Sequence, residues 1–372
     1  MMTENDYAHW LFNIPWVGNT TVDRLLCSGR TCMEVYEMGE AELKKILKPK
    51  QVKAVLESRN VWDFDAERKK LEEKGIRFIS RIDPGFPEKL KNIPNPPFAI
   101  YVKGELPGED RPSVAIIGAR LCSDYGRYMA RQLGRGLALA GVGVISGMAR
   151  GVDGISQKAA LAAGGKSYAV VGCGADICYP DENRDIYEAL SENGGIISEY
   201  PPGTMPKANF FPMRNRLISA LADIVVVVEA RLHSGTQITV DTALEQGREV
   251  LAVPGRVTDR LSDGCNHLIC QGAGAVLDVN DVIERIADWN YKREGSGIGK
   301  EDGMNSTGSM TFVEKEIMEI LDVIPVSFSY IADKLSVAGM DISVPELLKI
   351  LFDMCGRGFI IQKGSYYSRK IH

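Results

Sequence analysis

Residues 113–153 read SVAIIGARLCSDYGRYMARQLGRGLALAGVGVISGMARGVD, and this stretch decides the fold. It holds two apolar runs, Val114–Ile117 and Gly143–Ser146, each followed at once by a glycine, Gly118 and Gly147. A helical stretch lies between them. A run that is apolar throughout is buried on both faces of a sheet, and a helix between two such runs makes a parallel crossover. The unit recurs further on, with runs at Tyr168–Val171, Gly195–Ser198, Ile224–Val228 and Val250–Val253. The predicted fold class is α/β, a doubly wound and mostly parallel sheet.

The chain has 372 residues, of which 45% are hydrophobic and 25% charged, with a formal net charge of −5. At roughly 150 residues per domain, this length predicts two or three domains. The composition excludes a collagenous, disordered or disulfide-framework protein. No apolar run approaches the roughly 20 residues of a membrane span, so no membrane insertion is expected. The start, MMTENDYAHW, lacks a basic region followed by an apolar stretch, so no signal peptide is expected. Eight cysteines in so long a chain point to reduced thiols and a cytoplasmic protein. Taken whole, the charge speaks against a polyanionic partner.

Residues 1–75 read as a small helical domain. Within it Ile14-Pro15-Trp16-Val17-Gly18-Asn19-Thr20 resembles a helix-hairpin-helix turn, with Trp16 where a first glycine is expected; the plainer reading is a helical packing module. Residues 76–112 read as a proline-rich extended lead-in to a core of residues 76–290. Residues 291–310, rich in Gly, Ser and charge, read as a linker. Residues 311–372 carry helices and then a strand, a glycine turn and a second strand, which suits a wing behind a helix-turn-helix. The presumed recognition helix, residues 345–353, is apolar and acidic, which favours protein contact or packing over reading a DNA groove.

Open parallel sheets bind ligands at the carboxyl ends of their strands. Three loops there are candidate anion sites, because glycines free backbone N–H groups beside helix N-termini. They hold Ser146 and Gly147 with Arg150, Gly172 with Gly174, and Ser234-Gly235-Thr236, and beside them Gly118 and Arg120 follow the first strand. The spacing after the first strand is not that of a dinucleotide fingerprint, and no cofactor is expected. Residues 111–152 hold six arginines and one acid, Asp124. Arg127, Arg131 and Arg135 suit a solvated helix face, while Arg120 and Arg150 sit in strand-end loops. A second cluster, Lys207-Ala208-Asn209-Phe210-Phe211-Pro212-Met213-Arg214-Asn215-Arg216, interleaves cations with aromatic rings, as single-stranded nucleic acid requires. Phe211 is the candidate stacking ring and Phe210 suits the core; one of Arg214 and Arg216 could equally be structural. Gly165-Lys166-Ser167 lacks the earlier glycine of a phosphate-binding loop, no nucleophile elbow has the right spacing, and no second pair completes a zinc site with Cys265 and Cys270. No catalytic residue and no metal ligand is predicted, and the two cysteines read as small buried hydrophobes.

These motifs resemble the DNA-processing protein A (DprA/Smf) family. The matching strings are VAIIGARLCSDYG, SGMARGVDGISQKAAL, AVVGCGADICYPDEN, SEYPPGTMPKANFFPMRNRLISAL and HSGTQITVDTALEQGREVLAVPG, all within residues 113–277. The resemblance implies an extended Rossmann-like core between a helical N-terminal domain and a C-terminal winged-helix domain. It implies a non-catalytic, sequence-independent single-stranded DNA binder that forms a homodimer and loads a RecA-type recombinase during DNA uptake and recombination, with a single-strand-binding protein as a further candidate partner. It assigns Arg120 to a phosphate, Ser146, Gly147 and Arg150 to the second loop, and Lys207, Arg214, Asn215 and Arg216 to the pocket. Phe211 would stack a base. Asp181 stands where the family has a basic residue, and Ser156-Gln157 where it commonly has Ala-His. The competing reading is a nucleotide-binding phosphoribohydrolase resembling the lysine-decarboxylase-like (LOG) enzymes, although their P-G-G-x-G-T-x-x-E string is absent. Two nearly acid-free stretches, 111–152 and 200–222, bring cations to one edge of the sheet, so the net charge of −5 is compatible with a confined groove for one strand.

Overall fold

The computed structural model describes residues 2–286 except Ser28, together with parts of residues 312–369. The chain forms two compact units, Met1–Gly297 and Ile298–His372. In the first unit a nine-stranded sheet runs in the order β1-β2-β6-β5-β4-β3-β7-β8-β9. The strands are β1 (Ile76–Ser80), β2 (Ala99–Gly104), β3 (Ser113–Ile117), β4 (Gly143–Ser146), β5 (Ser167–Val171), β6 (Gly194–Ser198), β7 (Ile224–Val227), β8 (Glu249–Ala252) and β9 (Gly274–Ala275). Strands β3 to β9 pair in parallel, whereas β1 pairs with β2 and β2 with β6 in antiparallel register.

Residues alternate strictly between the two faces of this sheet, as the pleat demands. Ala115, Ile117, Ile145 and Val170 join one core with Leu217, Leu221, Val240 and Leu268. These come from α11 (Phe210–Leu221), α12 (Gly235–Glu245) and α13 (Asp263–Cys270). Val114, Ile116 and Val144 face the other way, onto Met129, Leu133 and Leu137 of α8 (Asp124–Leu139) and Ala160 of α9 (Val152–Ala162). Both faces of each central strand are covered. That is why its run is apolar save for a buried serine at one end of β3, β4, β5 and β6.

The N-terminal helices are α1 (Glu4–Phe12), α2 (Asn19–Leu26), α3 (Cys32–Glu37), α4 (Glu40–Ile46), α5 (Pro49–Val61) and α6 (Phe64–Glu73). Side chains fix several of their starts: Thr3 and Thr31 form capping boxes, and Asp63 accepts N–H bonds from the first turn of α6. The boundary expected at residue 75 is not a boundary in packing. Trp10, Leu11, Val22 and Leu25 share one apolar core with Phe78, Tyr101, Ala169, Val171 and Ile196 of the sheet, and with Ile186 and Leu190 of α10 (Arg184–Asn193).

The extended lead-in also needs correction, since residues 76–112 supply β1, β2 and the short helix α7 (Glu88–Lys91). Beyond β9, residues 279–286 form the described part of α14. The linker expected at 291–310 lies outside the described residues. In the second unit, α15 (Phe312–Ile320) and α16 (Phe328–Val337) accompany a three-stranded antiparallel sheet in the order β10 (Val326–Ser327), β12 (Tyr366–Arg369), β11 (Ile360–Lys363). Ile317, Ile331, Leu335, Leu351 and Tyr367 form its core. The expected recognition helix, 345–353, lies largely outside the described residues. Among the described residues, no helix is long and apolar enough to cross a membrane.

Candidate nucleic-acid interface

Strand order reverses about β3, whose neighbours are β4 on one side and β7 on the other. In a doubly wound sheet this is where a ligand crevice opens, and the first helix N-terminus beside it is the usual seat of a phosphate. Here a carboxylate of the protein holds that seat. Glu229 follows β7 and is buried; it accepts from the Ser123 N–H at 2.8 Å and from the Ser123 hydroxyl. Ser123 in turn caps α8 by accepting from the Gly126 N–H at 3.2 Å. A pyrophosphate would meet Glu229 head on, which gives the missing dinucleotide fingerprint a structural reason.

The loop after β4 is closed in the same way. Gly147 donates its N–H to Asp153 Oδ2 at 3.0 Å, and Met148 donates its N–H to Gln157 Oε1 at 3.0 Å. The Ser146 hydroxyl is fully buried and donates to the Ile116 carbonyl at 2.6 Å. Arg214, only 5% exposed, reaches this loop from α11 and donates to the carbonyls of Gly147, at 2.9 Å, and Val170. Burial pulls the Arg214 guanidinium down to about 10, against the pull of Asp153. Burial pushes the Asp153 carboxyl up, while Arg214 and the Gly147 N–H hold it down. The guanidinium lies so close under Gly147 that a Cβ there would strike it, so this position requires glycine. The third loop repeats the pattern: Asp176 accepts from the Gly203 N–H at 2.8 Å and pairs with Lys74 at 2.6 Å. Gly174, buried, donates its N–H to the Thr204 carbonyl at 2.8 Å.

These contacts correct part of the expectation. Ser146 and Arg214 are internal, and the Gly147 and Gly174 N–H groups are already bonded within the protein. Arg216 is also buried, held by both oxygens of Glu199 at 2.7 Å. Neither arginine of the pair presents its charge to solvent; both build the floor. The cysteine reading needs adjusting too, since Cys265 is buried but Cys270 is exposed.

What remains on the surface is a chain of aromatic rings flanked by cations. Arg120 is exposed, and its guanidinium lies 5.5 Å from the Phe211 ring centroid. Phe211 is half-buried beside Gly172, where an added Cβ would come within 3.0 Å of its ring. Tyr179, 45% exposed, lies 5.6 Å from Phe211 with the rings inclined by 31°. The neighbouring Phe210 stacks on Tyr200 at 4.1 Å and 23°, with the exposed Lys207 Nζ 5.5 Å from its centroid. There are thus two ring pairs, built on the consecutive residues Phe210 and Phe211, each with its own cation. Arg150 is exposed but forms a bidentate pair with Glu182, the longer bond at 2.7 Å. Asn215 and Gly118 are half-buried.

The fourth loop differs from the other three. Ser234 precedes α12 without a side-chain cap, and its buried Oγ has no hydrogen-bond partner among the described residues. Gly235 is exposed and Thr236 half-buried, so among the four loops this helix start is the one at which no internal carboxylate is recorded among the described residues. The sequence reading did not single out Tyr179 or Tyr200, and Phe210, expected in the core, is half-buried. Each tyrosine precedes a proline, Tyr179-Pro180 and Tyr200-Pro201, in a loop that follows a strand.

A sequence model described as DNA recombination-mediator protein A matches residues 77–287. DNA processing protein DprA of Streptococcus pneumoniae is 40% identical over 205 residues, 55% of this chain and 72% of that protein. Protein Smf of Escherichia coli is 40% identical over 217 residues, 58% of each chain. The X-ray structure of the Streptococcus pneumoniae DprA superposes with a TM-score of 0.67 at 33% identity, covering 76% of this chain and 98% of that one. The DprA of Helicobacter pylori, described for its single-stranded DNA binding mode, superposes with a TM-score of 0.52 at 31% identity, covering 57% and 96%.

Proposed function

This chain belongs to the DNA recombination-mediator protein A family, and on that premise we propose that it binds single-stranded DNA without regard to sequence and performs no chemistry on it. The observation that carries this reading is the pairing of rings with cations at the carboxyl edge, Tyr179 and Phe211 with Arg120, Tyr200 and Phe210 with Lys207. Every base has a π-face, so stacking on such rings tolerates any sequence. The cations neutralise phosphates between stacked bases, and the open start of α12 offers N–H groups to another. Glu229 across the switch-point crevice speaks against the nucleotide-hydrolase reading, because a nucleotide phosphate would face that carboxylate.

The further steps rest on the family. In this reading the protein acts as a homodimer, receives strands during DNA uptake, and delivers them to a RecA-type recombinase, with a single-strand-binding protein as a competing or handing-over partner. The unit after residue 298 serves as a winged-helix-like protein contact rather than a duplex reader.

Fluorescence anisotropy with labelled oligo-dT tests the core claim. The affinity should fall steeply with salt, by about 0.7 in log K per log salt for each phosphate contact. Arg120→Glu should abolish binding. An Arg120→Glu protein that binds oligo-dT like the wild type would falsify the assigned groove.

A further inference from the structure

Trp16 lies in the turn between α1 and α2 and is 65% exposed. Its φ is +70°, a left-handed conformation that a bulky residue adopts only when its surroundings impose it. The surroundings are explicit. Gln51 of α5 donates to the Trp16 carbonyl at 2.9 Å and to Thr21 Oγ1 at 3.2 Å, and accepts from the Lys48 N–H at 3.1 Å. The turn is thus clamped with its indole ring outward, and Lys50 Nζ lies 3.3 Å from the ring centroid.

The charge around the ring runs against what folding alone would select. Lys48 is the N-cap of α5 and Lys50 is in its first turn, where the helix dipole is positive and a cation is unfavourable. Helices α2 and α5, which meet at this turn, have no acid in the first turn, whereas α1, α3, α4 and α6 all do. An anion brought to this place would find an aromatic face and two lysines that no neighbouring carboxylate answers in the first turn of either helix.

The turn is also fixed beside the groove already described. Asn19 donates to Glu199 Oε1 at 2.8 Å and accepts from the Phe98 N–H at 3.2 Å. Glu199 follows β6 and precedes Tyr200, a member of the Tyr200–Phe210 ring pair. Trp16 is three residues from Asn19, a chain length of at most about 11 Å.

We infer that Trp16 and Lys50 form a second contact for single-stranded nucleic acid, engaging the strand where it leaves the Tyr200–Phe210 pair. One base stacks on the indole face opposite Lys50, and the Lys50 ammonium meets the adjoining phosphate. The inference rests on the single-strand reading of the core and adds a longer footprint to it. The tryptophan, in the place where a helix-hairpin-helix turn would carry glycine, exchanges a backbone–phosphate contact for a stacked base.

The experiment compares dT4 with dT16, lengths that bracket the sites of single-strand binders. Anisotropy titrations use the full chain as wild type, Trp16→Ala, Lys50→Glu and Arg120→Glu. One stacked base corresponds to a loss of about fivefold or more. Trp16→Ala and Lys50→Glu should weaken dT16 by at least that factor and leave dT4 unchanged, whereas Arg120→Glu should weaken both. Photocrosslinking of a dT16 carrying 5-iodouracil near one end should label the peptide containing Trp16. If both variants bind dT16 like the wild type while Arg120→Glu does not, the inference is overturned and the proposed function stands. If the wild type binds neither oligonucleotide, the proposed function falls and takes this inference with it. Because Trp16 and Lys50 are exposed, unchanged melting temperatures would confirm that the losses report binding.

Discussion

Asp153 accepts the Gly147 N–H at 3.0 Å, occupying the loop position at which the sequence suggests an anion site. The same substitution of an internal carboxylate for an external anion occurs at Ser123 with Glu229 and at Gly203 with Asp176. Three glycine-bearing loops are therefore rigid supports, pre-set by the protein's own acids. In the proposed function, phosphates meet the exposed side chains Arg120 and Lys207 and the start of α12. This arrangement keeps the exposed cations forward of a floor whose loop N–H groups are bonded within the protein.

Removing the Asp153 carboxylate should therefore damage the fold before it damages the surface. Asp153→Ala removes the acceptor of the buried Gly147 N–H and the carboxylate whose charge favours the buried Arg214 guanidinium, and should cost about 1–3 kcal/mol of stability. Asp153→Asn keeps an acceptor for the Gly147 N–H and should cost less. Urea denaturation of the two variants checks the order. Equal losses would mean that the charge near Arg214 contributes nothing.

The rings make the opposite prediction, a loss of binding with little loss of stability. Tyr179→Ala removes a half-exposed ring from beside Phe211 and should weaken oligo-dT by about 1–3 kcal/mol, the worth of one stacked base. Phe211→Ala should do the same, whereas Phe211→Tyr should retain most of the affinity. Anisotropy titrations at fixed salt, set beside melting curves, separate the two effects. A Tyr179→Ala protein with wild-type affinity would remove that ring from the interface.

The parallel core was legible because burial on both sheet faces leaves its strands apolar almost throughout. β1 and β2 were not, since they lie among prolines and pair antiparallel at the edge. At the interface, charge type was legible and charge use was not. Arg120, Arg214 and Arg216 lie in equally basic surroundings in sequence, yet Arg214 is held by backbone carbonyls and Arg216 by Glu199, contacts made across separate strands. A string that favours cations cannot distinguish an arginine that meets solvent from one that holds the floor. The role of Asp153, Asp176 and Glu229 as internal anions emerges only from the bonds they accept.

His9 gives a pH-dependent prediction for the union of the N-terminal helices with the sheet. Its ring lies 4.6 Å from Phe78, 5.3 Å from Trp62 and 5.8 Å from Tyr101. Burial lowers it to about 4, against smaller opposing pulls from Glu67 and Asp6. The unfolded chain binds this proton at higher pH than the folded one does, so stability is full above about pH 6.5 and falls as the pH drops toward 4. Between pH 7 and pH 5 the loss should be about 2 kcal/mol. His9→Phe should flatten the decline over that window, as read by denaturation at each pH. A decline of the same size in the variant would assign it to other groups.

Arg150 offers the test with the least intuitive sign. Its guanidinium is exposed but engaged by Glu182 in a bidentate pair, so binding a phosphate requires giving up that carboxylate. Exposed pairs of this kind are weak in water, which keeps the competition small. Glu182→Gln should therefore tighten oligo-dT binding, by up to about fivefold, and steepen the salt dependence by about 0.7 in the log–log slope as a further phosphate is engaged. Arg150→Ala should weaken binding, and adding it to Glu182→Gln should cancel the gain. Measured affinities for the four proteins across a salt series close the cycle. If Glu182→Gln leaves both affinity and slope unchanged, Arg150 belongs to the protein surface and not to the groove.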